Sequence, residues 1–226
     1  MVVFYELLAV AVVLAGLFIG LWSRERPMLS FFFKGLASVA VVSLAIYTAY
    51  ISMFDTSTIL LIIGLVFCLF GDLSLALPEL CDEEKRAKIY TCGTVCFAIA
   101  QIIFIVMLAL LDTLTLFGLI FGVLFALSIF VLKKPLKLDF GKCLVPSLIY
   151  AMLLGSNVAG SILLMCVSSF SIYSILLAIG FVFFVASDLV LSLIYYGGNT
   201  KPITQKINLA LYYIAIILLA VSFVAI

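Results

Sequence analysis

Two aspartates lie inside long apolar stretches of the sequence. Asp72 lies in FCLFGDLSL (67–75), and Asp188 lies in FVASDLVLSL (184–193). A charged aspartate in the middle of a membrane helix costs roughly 2.5–3.5 kcal/mol on insertion scales, so such residues are candidates for function. Two carboxyl groups that meet in an apolar site can share one proton, and one then acts as an acid and the other as a base. The alternative is a structural role, in which each aspartate pairs with a lysine or caps a broken helix.

An acid and a base of this kind suit reactions that pass through an oxocarbenium-like cation. Glycosidases use two carboxyl groups in this way, one to donate a proton and one to activate water or stabilise the cation. A vinyl ether hydrolyses through the same kind of cation after protonation at carbon. A membrane-embedded pair therefore suits a lipid vinyl ether, but it suits proton-coupled transport equally well.

Several further polar side chains fall within the apolar segments and could bind a substrate. Lysines near helix ends often extend to the membrane interface, which is the alternative role for the lysine of this group. The amide side chains could instead join neighbouring helices. The candidate substrate-binding residues are Lys34, Gln101, Tyr150, Asn157, Ser187 and Tyr213.

The composition predicts an all-α integral membrane protein. Hydrophobic residues make up 67% of the 226 residues and charged residues 10%, whereas soluble domains are about half apolar and a quarter charged. We therefore expect one transmembrane domain over 1–226, with the lipid bilayer as its environment. The net charge of +1 gives no reason to expect a nucleic-acid partner, and no oligomeric partner is indicated. With no histidine, and with most of its six cysteines in apolar segments, the chain is expected to hold no metal, cofactor or disulfide.

A hydrocarbon core of about 30 Å needs roughly 20 apolar residues per helix. The sequence contains eight such segments, at 3–22, 30–50, 57–77, 88–110, 113–132, 143–165, 170–195 and 207–225. All twelve Lys and Arg residues fall in the first, third, fifth and seventh connections or at the start of the following helix. The positive-inside rule predicts that these connections are cytoplasmic and that both termini lie outside. Short loops of this kind fit a bacterial inner membrane, although an endoplasmic reticulum membrane protein would look similar.

Each half of the chain resembles the other. LIIGLVFCLFGDLSLAL (61–77) aligns with LAIGFVFFVASDLVLSL (177–193), and RPMLSFFFKGL (26–36) aligns with KPLKLDFGKCL (134–144). The first alignment places Asp72 on Asp188. We therefore predict two parallel four-helix repeats, at approximately 1–111 and 112–226, related by an axis along the membrane normal. Equivalent positions converge on such an axis, so the two carboxyl groups are expected to face one another in the cytoplasmic half.

The order of these motifs resembles the lysoplasmalogenase, or YhhN-like, family of eight-span membrane proteins. The resemblance implies a hydrolase that cleaves the vinyl ether bond of lysoplasmalogens, which are 1-alkenyl glycerophosphocholines or glycerophosphoethanolamines. The products would be a fatty aldehyde and the glycerophospho head group, with no evident cofactor and a lysophospholipid as substrate. The matching residues are Lys34-Gly35-Leu36, Gly71-Asp72, Tyr150, Ser187-Asp188 and Tyr212-Tyr213.

This resemblance leads to a hypothesis for the site. Asp72 and Asp188 share the acid and base roles, Lys34 meets the phosphate, and Tyr150 and Tyr213 hydrogen-bond the glycerol or an aspartate. The chain departs from the family pattern at Gln101, where an alanine–histidine pair is expected, and glutamine cannot carry a proton near neutral pH. A proton-coupled small-molecule transporter and a non-catalytic lipid-binding membrane protein remain the alternatives.

Overall fold

The computed structural model is a bundle of helices. It describes residues 1–23, 25–77, 83–111 and 116–225, with the backbone alone at 83–87 and 225. Within these ranges all regular secondary structure is helical, which confirms the all-α prediction. The α-helices are α1 Val2–Leu21, α2 Pro27–Ile51, α3 Thr56–Ala76, α4 Glu83–Leu110, α5 Leu116–Leu132, α6 Leu144–Val167, α7 Ile172–Tyr195 and α8 Pro202–Val221. Short 3-10 turns, Gly141–Cys143 and Ser222–Ala225, adjoin α6 and α8.

Each helix lies on one of the apolar segments that the sequence predicts. The observed ends differ most in α4 and α8, which begin about five residues before the predicted apolar segments. Both early starts extend the helix into polar sequence, which hydropathy alone does not detect. Pro202 stands in the first turn of α8, where proline is tolerated because the missing N–H has no helical partner there. Residues 113–115 of the fifth predicted segment lie outside the described residues.

In the described part of the chain, seven helices are long and apolar enough to cross a membrane. The remaining helix, α5, is apolar but has 17 residues. At 1.5 Å per residue it is about 25 Å long, which is the lower limit for a transmembrane helix. The chain is therefore a multi-pass integral membrane protein.

The α2–α3 and α6–α7 turns have the same backbone geometry. Met53 and Phe54 have φ angles of 67° and 45°, and Ser169 and Phe170 have φ angles of 54° and 58°. The amide of Phe54 donates to the carbonyl of Ala49, and the amide of Phe170 donates to that of Met165, both at 2.9 Å. The paired positions differ by 116 residues, which is the offset that superimposes the two aspartates in the sequence.

Helix packing follows the same relation. Consecutive helices pack as α1 on α2, α2 on α3 and α3 on α4, and as α5 on α6, α6 on α7 and α7 on α8. The two halves meet where α2 packs on α8 and α4 packs on α6. Gly64 and Gly180, again 116 residues apart, allow close approach, since an added Cβ would collide with Phe104 of α4 and Leu219 of α8 respectively. Helices α2, α3, α7 and α8 carry several of the buried polar residues, including Lys34, Asp72 and Asn208.

Candidate active site

Asp72 lies in the last two turns of α3 and is almost fully buried, with 2% of its surface exposed. Its Oδ1 lies 3.3 Å from the Nζ of Lys34 on α2. Its Oδ2 accepts hydrogen bonds from the hydroxyls of Ser38, at 2.7 Å, and Tyr212, at 2.8 Å. A buried carboxylate needs a cation and hydrogen-bond donors to remain charged. The site of Asp72 supplies both, from α2 and α8.

Lys34 therefore does not extend to the membrane interface. It is 8% exposed and lies two turns into α2, on the same face as Ser38 four residues later. Residues four apart on a helix are neighbours on its surface, so one face of α2 supplies both the ammonium group and a hydroxyl to Asp72. The predicted alternative of a snorkelling lysine is wrong, because the buried carboxylate holds the ammonium group inside the bundle.

Asp188 has a different environment. It is half-buried on α7, and its Oδ2 accepts a hydrogen bond of 2.7 Å from the hydroxyl of Tyr150 on α6. Among the described residues no cation lies within ion-pair distance of it. Lys142, which the sequence aligns with Lys34, is exposed near the start of α6. The two aspartates occupy equivalent places in the sequence, but within the described part of the chain the ion pair with a lysine is found at Asp72 and not at Asp188.

Both aspartates line one polar cavity, the head cavity, with a volume of about 130 Å³. It opens at the end of the bundle where α2 and α8 begin and α3 and α7 end, which is the end of the basic connections. Aromatic and apolar side chains complete the wall. The polar members of its lining are Ser30, Lys34, Asp72, Tyr90, Ser187, Asp188, Tyr195, Gln205, Asn208 and Tyr212.

A second cavity of about 130 Å³, the tail cavity, adjoins the head cavity and shares Asp188 with it. Residues of α3 to α7 line it, and the majority are apolar or aromatic. Asp188 is the carboxyl group that belongs to both linings. The lining includes Leu75, Phe97, Phe125, Ile129, Tyr150, Ala151, Leu154, Val185 and Leu189.

The other predicted substrate-binding residues are placed unevenly. Ser187 lines the head cavity, but its hydroxyl donates to the carbonyl of Asn208 at 3.2 Å. Tyr213 is 1% exposed, donates to the carbonyl of Lys34 at 3.3 Å, and lines neither cavity. Gln101 and Asn157, both fully buried, also lie outside the two linings. The Asn157 amide donates to the side-chain oxygen of Gln101 at 2.7 Å, which joins α4 to α6.

Several residues of the site, among them Ser38, Asn208 and Tyr212, were absent from the predicted set. Ser38 and Tyr212 donate to Asp72, and Asn208 lines the head cavity. The spacing of polar residues on an apolar helix could have revealed them. Ser38 follows Lys34 by four residues, and Asn208 precedes Tyr212 by four, so each pair shares a helix face. Adjacent tyrosines point in different directions, which is why Tyr212 reaches Asp72 and Tyr213 reaches α2.

In the described part of the chain, no group of three or more His, Cys, Asp or Glu residues is placed to hold a metal ion. The prediction that no cofactor is needed remains a prediction. The groups available for chemistry are two carboxyls, one ammonium and several hydroxyls. Together they can donate a proton, accept one and hold an anion.

Comparison with known proteins gives one match. The model of the YhhN family matches residues 29–223, a range that begins in α2 and contains both aspartates and all of the site residues above. The comparison with curated proteins found no match, and neither did the comparison with solved structures. Because the match covers most of the chain, the protein belongs to the YhhN family, the family of lysoplasmalogenases.

Proposed function

We propose that this protein is a membrane hydrolase that cleaves the vinyl ether bond of lysoplasmalogens. The products are a fatty aldehyde and a glycerophosphocholine or glycerophosphoethanolamine. Family membership supports hydrolase activity at a general level. The observation that carries the specific proposal is the unequal environment of the two aspartates. Asp72 is paired with a lysine, whereas Asp188 accepts a hydrogen bond from Tyr150 where two cavities meet and has no cation within ion-pair distance among the described residues.

Asp188 is the acid in this proposal. It is the more exposed of the two carboxyls, and no described cation stabilises its charged form. Asp72, with an ammonium group and two hydroxyl donors, remains a carboxylate. Two carboxyl groups in different environments can thus take the acid and base roles without a histidine.

The reaction balances with these two groups and one water. Asp188 gives its proton to the alkenyl carbon that is not bonded to oxygen, which leaves an oxocarbenium ion. Water bonds to the cationic carbon as Asp72 accepts its proton, which gives a hemiacetal. In the breakdown of the hemiacetal, the glycerol oxygen takes the proton from Asp72 and the hemiacetal hydroxyl returns a proton to Asp188. The aldehyde leaves, and both aspartates are in their starting states.

The remaining groups of the head cavity bind the polar part of the substrate. The ammonium of Lys34 attracts the phosphate, and its pairing with Asp72 keeps the site close to neutral. Ser30, Gln205 and Asn208 offer further hydrogen bonds to the phosphate and the glycerol. Tyr150 holds the carboxyl of Asp188, since it is within hydrogen-bond distance of it. Gln101, Asn157, Ser187 and Tyr213 then support the helices that carry the site.

We also propose that the domain consists of two parallel repeats and that all eight helices cross the membrane. The equivalent turns and helix contacts at an offset of 116 residues support the repeats. A crossing by α5 is needed if all basic connections are to lie on one side. The head cavity then opens to the cytoplasm, and the substrate enters from the cytoplasmic leaflet, in keeping with a bacterial inner membrane.

The test is the release of aldehyde from a lysoplasmalogen by purified protein in nanodiscs. Wild type is expected to release aldehyde, and Asp72→Asn and Asp188→Asn are expected to lose turnover while they keep the helical circular dichroism spectrum. Asp55→Asn is a matched control, because Asp55 caps the same helix as Asp72 and asparagine caps equally well. Full activity in both site variants would refute the mechanism. Inactive, folded wild type with both head groups would refute the proposed function.

A further inference from the structure

We infer that the tail cavity binds the alkenyl chain of the substrate and sets the chain length that the protein accepts. This inference rests on the proposed function and adds a binding site to it. Asp188 lines the cavity, so a chain within it can place its first carbons against that carboxyl group. The head group then lies in the head cavity, which Asp188 also lines.

The wall of the tail cavity is mostly apolar, and most of its hydroxyls donate to protein oxygens. Those of Thr94, Ser147 and Ser192 donate to protein oxygens at 3.0, 3.3 and 2.7 Å respectively. That of Tyr150 donates to Asp188 at 2.7 Å. A cavity whose polar groups are satisfied has few partners to offer water and favours an apolar occupant. A hydrocarbon chain meets this requirement, whereas a phosphate or glycerol does not.

The shape of the cavity also suits a chain. Along α7 its lining runs from Val185 to Tyr195, and the ten rises of 1.5 Å between these residues cover about 15 Å. The opposite walls come from α5 and α6 and include Phe125, Ala151 and Leu154. An elongated apolar space lined by the acid fits an extended alkyl segment. The size of the side chain at 151 and 154 then limits how much of it enters.

The head cavity excludes the reverse orientation. It contains the Lys34–Asp72 ion pair and the amides of Gln205 and Asn208. A hydrocarbon chain in this cavity would displace water from these polar groups and offer them no hydrogen bonds in return. Only one orientation gives each end of a lysophospholipid a matching environment. In that orientation the vinyl ether bond lies between the cavities, beside Asp188.

The experiment measures kcat/KM for a series of water-soluble, short-chain 1-alkenyl glycerophosphocholines. Each substrate is used below its micelle concentration, and kcat/KM is calculated from the concentration of free substrate. Each methylene that enters an apolar site contributes about 0.8 kcal/mol, or about fourfold in kcat/KM. Wild type is therefore expected to show a rise with chain length that levels off when the cavity is full. For Ala151→Phe, kcat/KM is expected to stop rising at a chain at least two carbons shorter than for wild type. At the chain length where wild type reaches its plateau, kcat/KM of the variant is then lower by about 16-fold.

Two further variants make the result decisive. Ala9→Phe makes the same substitution at an exposed position of α1, far from both linings, and is expected to follow the wild-type curve. Leu154→Ala enlarges the cavity and is expected to move the plateau to longer chains, which tests the inference even if Ala151→Phe does not fold. Identical curves for wild type and the folded cavity variants would overturn the inference. Absence of aldehyde from wild type at every chain length would instead refute the proposed function.

Discussion

Removal of Lys34 should destabilise the protein by several kcal/mol, because it leaves the charge of Asp72 buried without its cation. The two charged atoms are 3.3 Å apart, and their side chains are 10% and 3% exposed. At an effective dielectric constant of about 20, this separation corresponds to an attraction of about 5 kcal/mol. Loss of one partner of a buried ion pair costs about 3–5 kcal/mol. We therefore expect Lys34→Met to lower the free energy of unfolding by about 4 kcal/mol.

A double-mutant cycle separates the ion pair from the packing of the lysine chain. Asp72→Asn should also be costly, since it leaves the ammonium group of Lys34 unpaired. The double variant, Lys34→Met with Asp72→Asn, leaves no buried charge and should lie within about 1 kcal/mol of wild type, because replacing both members of a buried pair is often neutral. The cycle then gives a coupling energy of at least about 3 kcal/mol.

The assay is reversible unfolding by sodium dodecyl sulfate in mixed micelles, followed by circular dichroism. Lys142→Met is the matched control, because Lys142 aligns with Lys34 in the other half of the sequence but is exposed. Its free energy of unfolding should stay within about 0.5 kcal/mol of wild type. Equal effects of the two lysine substitutions, or additive effects of the two site substitutions, would refute the assignment of Asp72 as a paired carboxylate.

Three further predictions test the acid, the packing and the orientation. Tyr150→Phe should lower kcat roughly 10- to 100-fold in the aldehyde assay, because a hydrogen bond to the charge left on the acid is worth about 1.5–3 kcal/mol; unchanged kcat would contradict its role. Gly122→Val should destabilise the protein by about 1–3 kcal/mol in the same unfolding assay, since an added Cβ would meet the Met152 carbonyl oxygen of α6 at 2.5 Å. Gly16→Val is the control and should be neutral, because an added Cβ at that position has no neighbour within 4 Å. In a cysteine-free background, cysteine at Met53 should react with an impermeant maleimide from outside and cysteine at Lys137 from the cytoplasmic side, and the opposite pattern would contradict the topology.

The helices and the aspartates were predictable because each depends on local sequence. Apolar length alone located all eight helices, and the cost of a buried charge alone selected Asp72 and Asp188. The hydrogen-bond and ion-pair partners of each aspartate were harder to predict from the sequence, because they depend on the rotation of each helix about its own axis. Hydropathy does not distinguish Tyr212 from Tyr213, yet only Tyr212 donates to Asp72.

The asymmetry of the site was only partly visible in the sequence. The alignment of Lys34 with Lys142 does not by itself show which of the two lysines enters the bundle, and in the structure Lys142 precedes α6, in the adjoining 3-10 turn, and is exposed. Packing, and not the repeat, decides which lysine enters the bundle. The division of the site into two cavities that share Asp188 likewise depends on the positions of all eight α-helices, since each contributes to at least one lining.

Protonation of the substrate at carbon is the central claim, and the mass of the product tests it most directly. When wild type hydrolyses a lysoplasmalogen in D₂O and the aldehyde is trapped as it forms, the aldehyde should carry one deuterium on the carbon next to the carbonyl. Asp55→Asn should give the same product, and Asp188→Asn should give none. Aldehyde without deuterium, or deuterated aldehyde from Asp188→Asn at the wild-type rate, would contradict the account.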